Sequence, residues 1–319
     1  MTDSTSTRTP SRPSVASASN GVACSKPPVF TAPVVIALAT VYLVWGSTYY
    51  AMHLTLASYP PFLQSGMRFL VAGTLLFAFL ALRGKPMPTV RQWRDGAIVG
   101  VLLLAGGNGG VVFAEQYVSS SVAAIFIGAA PLTAALWTGL FGVWPHRVQW
   151  AGLLIGFVGV LLLAGGAQLS GHPIGLIALI IAEIAWTLGS VLAQRKLDLA
   201  PGAMGFATEM LAGGLVMLVV GALHGEIPQL IAAWPPTTLS TVALIYLVCA
   251  GSLGAFSAYM YLLSKVSSSL AISYAYVNPM IAVLLGVVFG GEILSLKEGI
   301  ATAIIVGSVI LLTREQPRR

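Results

Sequence analysis

Apolar residues run through this chain in ten long stretches separated by short polar segments, at 33–54, 62–82, 95–116, 120–143, 148–165, 173–194, 202–222, 237–263, 268–290 and 297–313. A hydrocarbon core of about 30 Å takes roughly 20 residues of α-helix, and these stretches have that length. The pattern predicts an all-α polytopic membrane protein with ten transmembrane helices.

The stretches repeat. Ser119 to Leu163 and Ser267 to Leu311 align without a gap at 12 of 45 positions, among them Ser119/Ser267, Pro131/Pro279, Phe141/Phe289 and Gly159/Gly307. Weaker matches keep the same order: Arg68-Phe-Leu-Val-Ala-Gly73 against Glu209-Met-Leu-Ala-Gly-Gly214, and Trp45 with Gly46-Ser47 against Trp186 with Gly189-Ser190. Each copy reads as five helices, 33–165 and 173–313, joined by Gly165 to His172. Five is odd, so the second copy enters the bilayer upside down, giving two inverted repeats.

Charge fixes the expected orientation. With the N-terminus in the cytoplasm, fourteen of the sixteen Lys and Arg fall on the cytoplasmic side, Lys297 falls outside and Arg68 lies within a helix. The positive-inside rule then places both termini in the cytoplasm and the chain in the cell inner (plasma) membrane. Residues 1–32 read as a disordered Ser/Thr/Pro-rich cytoplasmic tail and 314–319 as a basic one. A chain with 57% hydrophobic and 8% charged residues cannot cover a soluble globule, so the lipid bilayer is its solvent. The net charge of +6 is scattered over short loops, which argues against nucleic acid. Cys24 and Cys249 lie on parts that should not meet, so no disulfide is expected. Trp93, Trp144, Trp150 and Trp234 fall near span ends, where indoles favour the headgroup region.

The residues resemble the EamA family of the drug/metabolite transporter superfamily over about 33–313. The resemblance rests on Val44-Trp45-Gly46-Ser47-Thr48-Tyr49, on Arg68-Phe-Leu-Val-Ala-Gly73, on Ser269-Leu-Ala-Ile-Ser-Tyr-Ala-Tyr-Val-Asn-Pro279 and on Gly291-Glu292. Glu115 in Phe113-Ala-Glu-Gln-Tyr117, with Glu209 in Thr208-Glu-Met-Leu-Ala-Gly213, looks closest to its YedA-type branch of drug or metabolite exporters. One departure stands out: many members end the fourth helix with Gly-Glu, where this chain has Gly142-Val-Trp-Pro145. The resemblance implies secondary transport of small solutes by alternating access, with a cavity between the repeats.

Ionisable groups inside a bilayer are costly and turn toward an interior cavity or a partner. Four need such a place: Arg68, Glu115, Glu183 and Glu209. Glu183 lies deepest, about 15 Å into its span by the helical rise. Glu183, Trp186 and Ser190 follow i, i+3, i+7 spacing and share a helix face. A carboxylate, an aromatic platform and a hydroxyl there suit a cation or amine, with proton coupling through Glu183 and Glu209; a protonated carboxyl hydrogen-bonded between helices is the structural alternative. Arg68 and Glu209 enter from opposite faces, separated by about 10 Å along the membrane normal, so a direct salt bridge is not expected. Glu115 lies near the outer end of its helix, within snorkelling reach of water.

Pro131 and Pro279 fall near the middle of the fourth and ninth spans, each leaving the carbonyl at Ile127 or Ala275 free, and a kink that serves gating is expected at both. Tyr274 and Asn278 share a face beside the second. Gly106-Gly107-Asn108-Gly109-Gly110 weakens helical order inside the third span and either exposes backbone to the cavity or permits close packing. The expected substrate site is therefore Trp45, Asn108, Glu183, Trp186, Ser190, Glu209, Tyr274 and Asn278. Small-residue stripes at Gly152-x3-Gly156 with Gly159, and at Gly299-x3-Ala303-x3-Gly307, allow close approach inside the monomer or a homodimer through helices five and ten. No metal site, cofactor motif, ATP-binding loop or hydrolase motif is present in the sequence, which argues against an enzyme. The function expected is proton-coupled efflux of small polar or amine-bearing metabolites or drugs, against the alternatives of uptake, a facilitative carrier or a channel.

Overall fold

The computed structural model describes residues 31–118, 123, 126–163, 173–278, 280–281 and 296–314, and among these the ordered elements are helical. Helix α1 (Ala32–Leu56) and α2 (Pro61–Leu82) each open on a proline in the first turn, where the missing N–H costs no helical bond. Helix α3 (Val90–Ala114) opens on a capping box, in which the Thr89 hydroxyl accepts from the Gln92 N–H while the Gln92 side chain accepts from the Thr89 N–H. Then follow α4 (Ala130–Leu140), α5 (Arg147–Leu163), α6 (Pro173–Arg195), α7 (Ala203–Leu223), a short α8 (Glu226–Ala232), α9 (Thr238–Lys265), a single turn α10 (Ser268–Ala271) and α11 (Leu296–Arg314). Six of these, α1, α2, α3, α6, α7 and α9, are long and apolar enough to cross a membrane, and shorter apolar helices occupy Arg147–Leu162 and Gly299–Leu312.

The sides of these helices are unlike those of a soluble bundle. Leu43, Leu75, Phe79, Leu154, Val158, Ile177, Ile181, Leu215 and Ile245 point outward, while Gln64, Ser65, Arg68, Thr208, Glu209, Ser252 and Asn278 are buried. Lipid solvates the outer aliphatic face, and polar atoms find partners only inside.

Helix pairing crosses between the two copies. Helix α2 packs along α7, α5 along α11, α1 against α9, and α3 against α6. Shifting each partner by one copy turns the α1–α9 pair into the α6–α3 pair, while α2–α7 and α5–α11 map onto themselves. Two π-helical stretches obey the same rule: Val101–Asn108 within α3 and Leu247–Phe256 within α9. Both lie in small-residue runs, whose weak α preference lets the wider turn form. The periodicity of the sequence did not predict them, nor α8.

Where α3 and α7 cross, their backbones touch. A Cβ at Gly100 would stand 2.2 Å from the Glu209 carbonyl oxygen, so no larger residue fits. The stripe on α5 is used in the same way: Gly152, Gly156 and Gly159 face Leu311, Ser308 and Ile305 of α11. That on α11 is not, since Gly299 and Gly307 meet nothing within 4 Å among the described residues. Pro131 stands in the first turn of α4 after a turn at Gly128–Ala129, so the bend expected there takes the form of a break, which removes the clash a mid-helix proline would make. Pro279 lies outside the described residues.

Both ends of the bundle are tied by hydrogen bonds. At the end where α3 begins, the Asp198 N–H donates to Asp95 at 2.9 Å, and the Gln194 amide donates to the carbonyls of Leu263 and Val266 at 2.6 and 2.7 Å. At the opposite end, Ser240 donates to the Leu54 carbonyl at 2.8 Å, and Glu226, 1% exposed, accepts from the N–H groups of Phe62 (3.2 Å) and Leu63 (2.8 Å). Those are first-turn donors of α2 that proline-led capping leaves free, and a carboxylate at a helix N-terminus also meets the dipole favourably. Glu226→Ala is expected to lower the stability of the purified chain by about 1–2 kcal/mol, with Glu226→Gln losing less because one acceptor oxygen stays. Thermal melting in detergent measures it, and equal melting of wild type and Glu226→Ala would show that the cap contributes nothing.

Candidate functional site

Five of the six long helices, all but α7, contribute to a common cavity. Helix α1 supplies Trp45, Thr48 and Met52 at i, i+3, i+7; α3 supplies Leu104, Gly107, Asn108 and Val111, and α6 supplies Leu179, Ala182, Glu183 and Trp186, both at i, i+3, i+4, i+7. Arg68 and Phe69 come from α2, Gly251 and Phe256 from the π stretch of α9, and Tyr274 and Asn278 from the helical residues 274–278 that follow α10 after a turn. The cavity measures about 80 Å³. On that measure a water needs roughly 10–15 Å³, so there is room for several waters or one small solute.

The lining lies in the half of the bundle toward the C-terminal ends of α1 and α3 and the N-terminal end of α6. Its floor is aromatic. Trp45 packs edge-on to Trp186 and Tyr274 with ring centroids 5.5 and 4.6 Å apart, and Tyr259 lies 5.1 Å from Trp45 and 5.5 Å from Trp186. Beneath the floor, the Ser190 and Tyr259 hydroxyls are hydrogen-bonded at 2.6 Å, and Ser190 also donates to the Trp186 carbonyl. The Trp45 indole N–H donates to the Gly251 carbonyl at 3.2 Å.

Five lining side chains keep a polar atom without a hydrogen-bond partner among the described residues: Arg68 Nη1, Asn108 Oδ1, Glu183 Oε1, Trp186 Nε1, and both Nδ2 and Oδ1 of Asn278. The Thr133 hydroxyl lies beside the Glu183 carboxyl. Arg68, 3% exposed, donates through Nε to Ser252 at 2.8 Å, and its guanidinium lies 4.7 Å from the Phe69 ring centre. Ion pairs among the described residues are confined to the start of α3, Arg94–Asp95 at 2.7 Å and Arg91–Asp198 at 3.8 Å. Arg68 and Glu209 therefore make none with each other.

Six of the eight expected binding residues, Trp45, Asn108, Glu183, Trp186, Tyr274 and Asn278, line this one cavity. Ser190 and Glu209 do not. Ser190 sits one turn beyond Trp186, under the floor. Glu209 is fully buried where α7 crosses α3, with both carboxyl oxygens unpartnered among the described residues. Glu115 caps the end of α3, half-buried and away from the cavity. The sequence reading missed Thr48, Gly251, Ser252, Phe256 and Tyr259. A signal for Gly251 and Ser252 exists in Ala250-Gly-Ser-x-Gly254, a small-residue run in the eighth span that mirrors Gly106–Gly110 in the third.

Comparison with known proteins gives one family. The model of the EamA-like transporter family matches twice, over residues 32–165 and 173–314. The chain is similar to the uncharacterized inner membrane transporter YedA of Escherichia coli (strain K12), 44% identical over 282 residues that cover 88% of this chain and 90% of that protein. It is also similar to Protein PecM of Dickeya dadantii (strain 3937), 27% identical over 85% of this chain and 86% of that one. A crystal structure with 22% sequence identity superposes at a TM-score of 0.72 over 89% of this chain and 98% of its own, which shows the same fold.

Gly251 is constrained by the site's own residues, because a Cβ there would stand 2.8 Å from Arg68 Nη2 and 3.1 Å from Thr48. Gly251→Ala is expected to destabilise the chain by about 1–3 kcal/mol, as overpacking does. In an Arg68→Gln background the same change is expected to cost less, since the shorter side chain yields. A double-mutant melting cycle checks this, and strict additivity would show that the two residues do not press on each other.

Proposed function

Because the chain belongs to the EamA-like transporter family, we propose that it is a secondary active transporter that exports small polar or amine-bearing metabolites or drugs, coupled to protons. The observation that carries this reading is a cavity walled by both copies, in which the Glu183 carboxyl has an oxygen without a partner among the described residues. A carboxyl in a small apolar cavity gains or loses a proton according to what stands beside it, and an amine displaces the proton by charge. Trp45 and Trp186 give that amine an aromatic surface. Glu209, unpartnered and buried between α3 and α7, is the second coupling carboxyl in this proposal.

In the proposed arrangement the copies are inverted, five helices each, and both termini are cytoplasmic. The exchange of helix partners and the matched π stretches support it. The cavity then occupies the outer half of the membrane, floored toward the cytoplasm by Trp45, Trp186, Tyr259 and Tyr274. Alternating access is a rocking of one copy against the other that parts this floor, breaks the Ser190–Tyr259 bond and closes the outer end. A homodimer, in this proposal, uses the outward stripe Gly299, Ala303 and Gly307.

The test compares extracellular metabolites of cells overproducing the wild type, Glu183→Gln and an empty vector, at equal membrane levels. Particular solutes are expected to rise with the wild type and fall toward the vector level with Glu183→Gln. Identical profiles in all three would overturn export of endogenous metabolites. Substrate-driven proton flux that persists in Glu183→Gln would overturn its coupling role.

A further inference from the structure

Arg68 is the least explained charge in the molecule. It stands inside α2, 3% exposed, with its side chain on the cavity wall. A guanidinium does not lose its proton in place of finding a partner, so a buried one is held by an anion or by several acceptors. Here Nε has a neutral hydroxyl, Ser252, the flat face has the Phe69 ring, and Nη1 has nothing among the described residues. The carboxyls of Glu115, Glu183 and Glu209 form no ion pair with it, although each of them also has an unpartnered oxygen.

The guanidinium is held ready rather than left over. Ser252 fixes Nε, the absent side chain of Gly251 makes room for Nη2, and the Gly251 carbonyl is itself occupied by the Trp45 indole. All three residues sit on or against the π stretch of α9, so this irregular backbone aims the charge. Arg68 shares the cavity lining with Asn278, whose amide has a donor and an acceptor without a partner among the described residues.

We infer that the transported solute carries a carboxylate, and that this carboxylate docks on Arg68 with the Asn278 amide as second donor. The inference rests on the transport reading above and narrows its substrate class. One guanidinium edge and one amide match a singly charged planar anion, whereas a phosphate dianion would leave charge uncompensated in so small a cavity. Met52, Phe69, Leu104 and Val111 hold the apolar body. An amine on the same solute lies against Glu183 and the indoles, so a zwitterion uses both ends of the site.

Three probes with one carbon body separate the charges: L-valine, L-valinamide and 3-methylbutanoate. Thermal melting of the purified full-length chain in detergent is the readout, with wild type, Arg68→Lys and Arg68→Gln. L-Valine and 3-methylbutanoate are expected to raise the melting temperature of the wild type with dose, and L-valinamide is not. Arg68→Gln should weaken that response about tenfold or more in concentration, with Arg68→Lys between, since an ammonium keeps the charge without the fork. If Arg68→Gln does not fold, the wild-type probe series with Arg68→Lys decides. Stabilisation by L-valinamide alone, an unchanged response in Arg68→Gln, or no response to any probe would each overturn the carboxylate assignment. Should that happen while Glu183-dependent release persists, only this assignment fails; loss of the release removes the transport reading and this with it.

Discussion

Lipid offers no partner to a polar atom, and that constraint organises the whole molecule. In water a helix can turn its polar face outward and fold around an apolar stripe. Here the outer surface is aliphatic, and the residues that would solubilise a globule are the ones the helices must enclose. Hydrophobic burial between helices is worth little when the lipid is equally apolar, so close backbone contact and interior hydrogen bonds hold the bundle. The α3–α7 crossing at Gly100, the α5–α11 stripe and the Glu226 cap on α2 are three forms of that economy.

The same constraint makes an unsatisfied interior atom informative. Hydrogen bonds are satisfied through most of the interior: Thr187, Ser190, Thr208, Ser273 and Ser308 each donate to a carbonyl three or four residues back or reach across to another helix. Among the described residues, most of the buried side chains that keep an unpartnered atom, Arg68, Asn108, Glu183, Trp186 and Asn278, line one cavity roomy enough for a solute, while Glu115 and Glu209 stand apart from it. A fold that spends a small residue and a widened helical turn to leave such groups unpaired gains by it only if something else pairs with them in turn. Substrate and water are the available occupants of a polar cavity. A site that both water and solute can satisfy also lets the solute leave, which a transporter requires.

Much of this was legible in the sequence because membrane helices write their length and their exceptions plainly. The apolar stretches gave the long helices, and the scarcity of charge drew attention to Arg68, Glu183 and Glu209 before any contact was known. Helix-face arithmetic put Trp186 with Glu183 and Tyr274 with Asn278, the repeat match and motif pointed to Trp45 and the glycine run to Asn108, and all six line the cavity. Ser190 lies off the lining because i, i+7 spacing assigns a face but not a depth, and Tyr259 from α9 packs against Trp186 and bonds Ser190 beneath it. Glu209 stands outside the lining because α7 crosses α3 there, with the Glu209 carbonyl against Gly100. The π stretches were illegible to a 3.6-residue period, since an i to i+5 turn shifts every later residue around the helix axis. That shift is why Gly251, Ser252 and Phe256 escaped notice, and the bend expected from Pro131 became a break once a turn preceded it.

Matched π stretches in α3 and α9 bear on how such a bundle could move. A regular α-helix packed along its whole length transmits displacement stiffly, and a crossing built from glycines allows approach but supplies no reason to shift. A π turn supplies one, because it leaves carbonyls and side chains in a register that a return to α geometry would change. In α9 that register sets three things together: the Gly251 carbonyl that receives Trp45, the open space beneath Arg68, and the Ser252 hydroxyl that holds its Nε. In α3 the corresponding stretch ends at Asn108 and presses Gly107 against Trp186, the other indole of the floor. The aromatic floor and the polar walls are thus attached to the same two irregular segments, one from each copy. A change of winding in either would move a wall and the floor at once, and that coupling is what alternating access between two repeats demands of its parts.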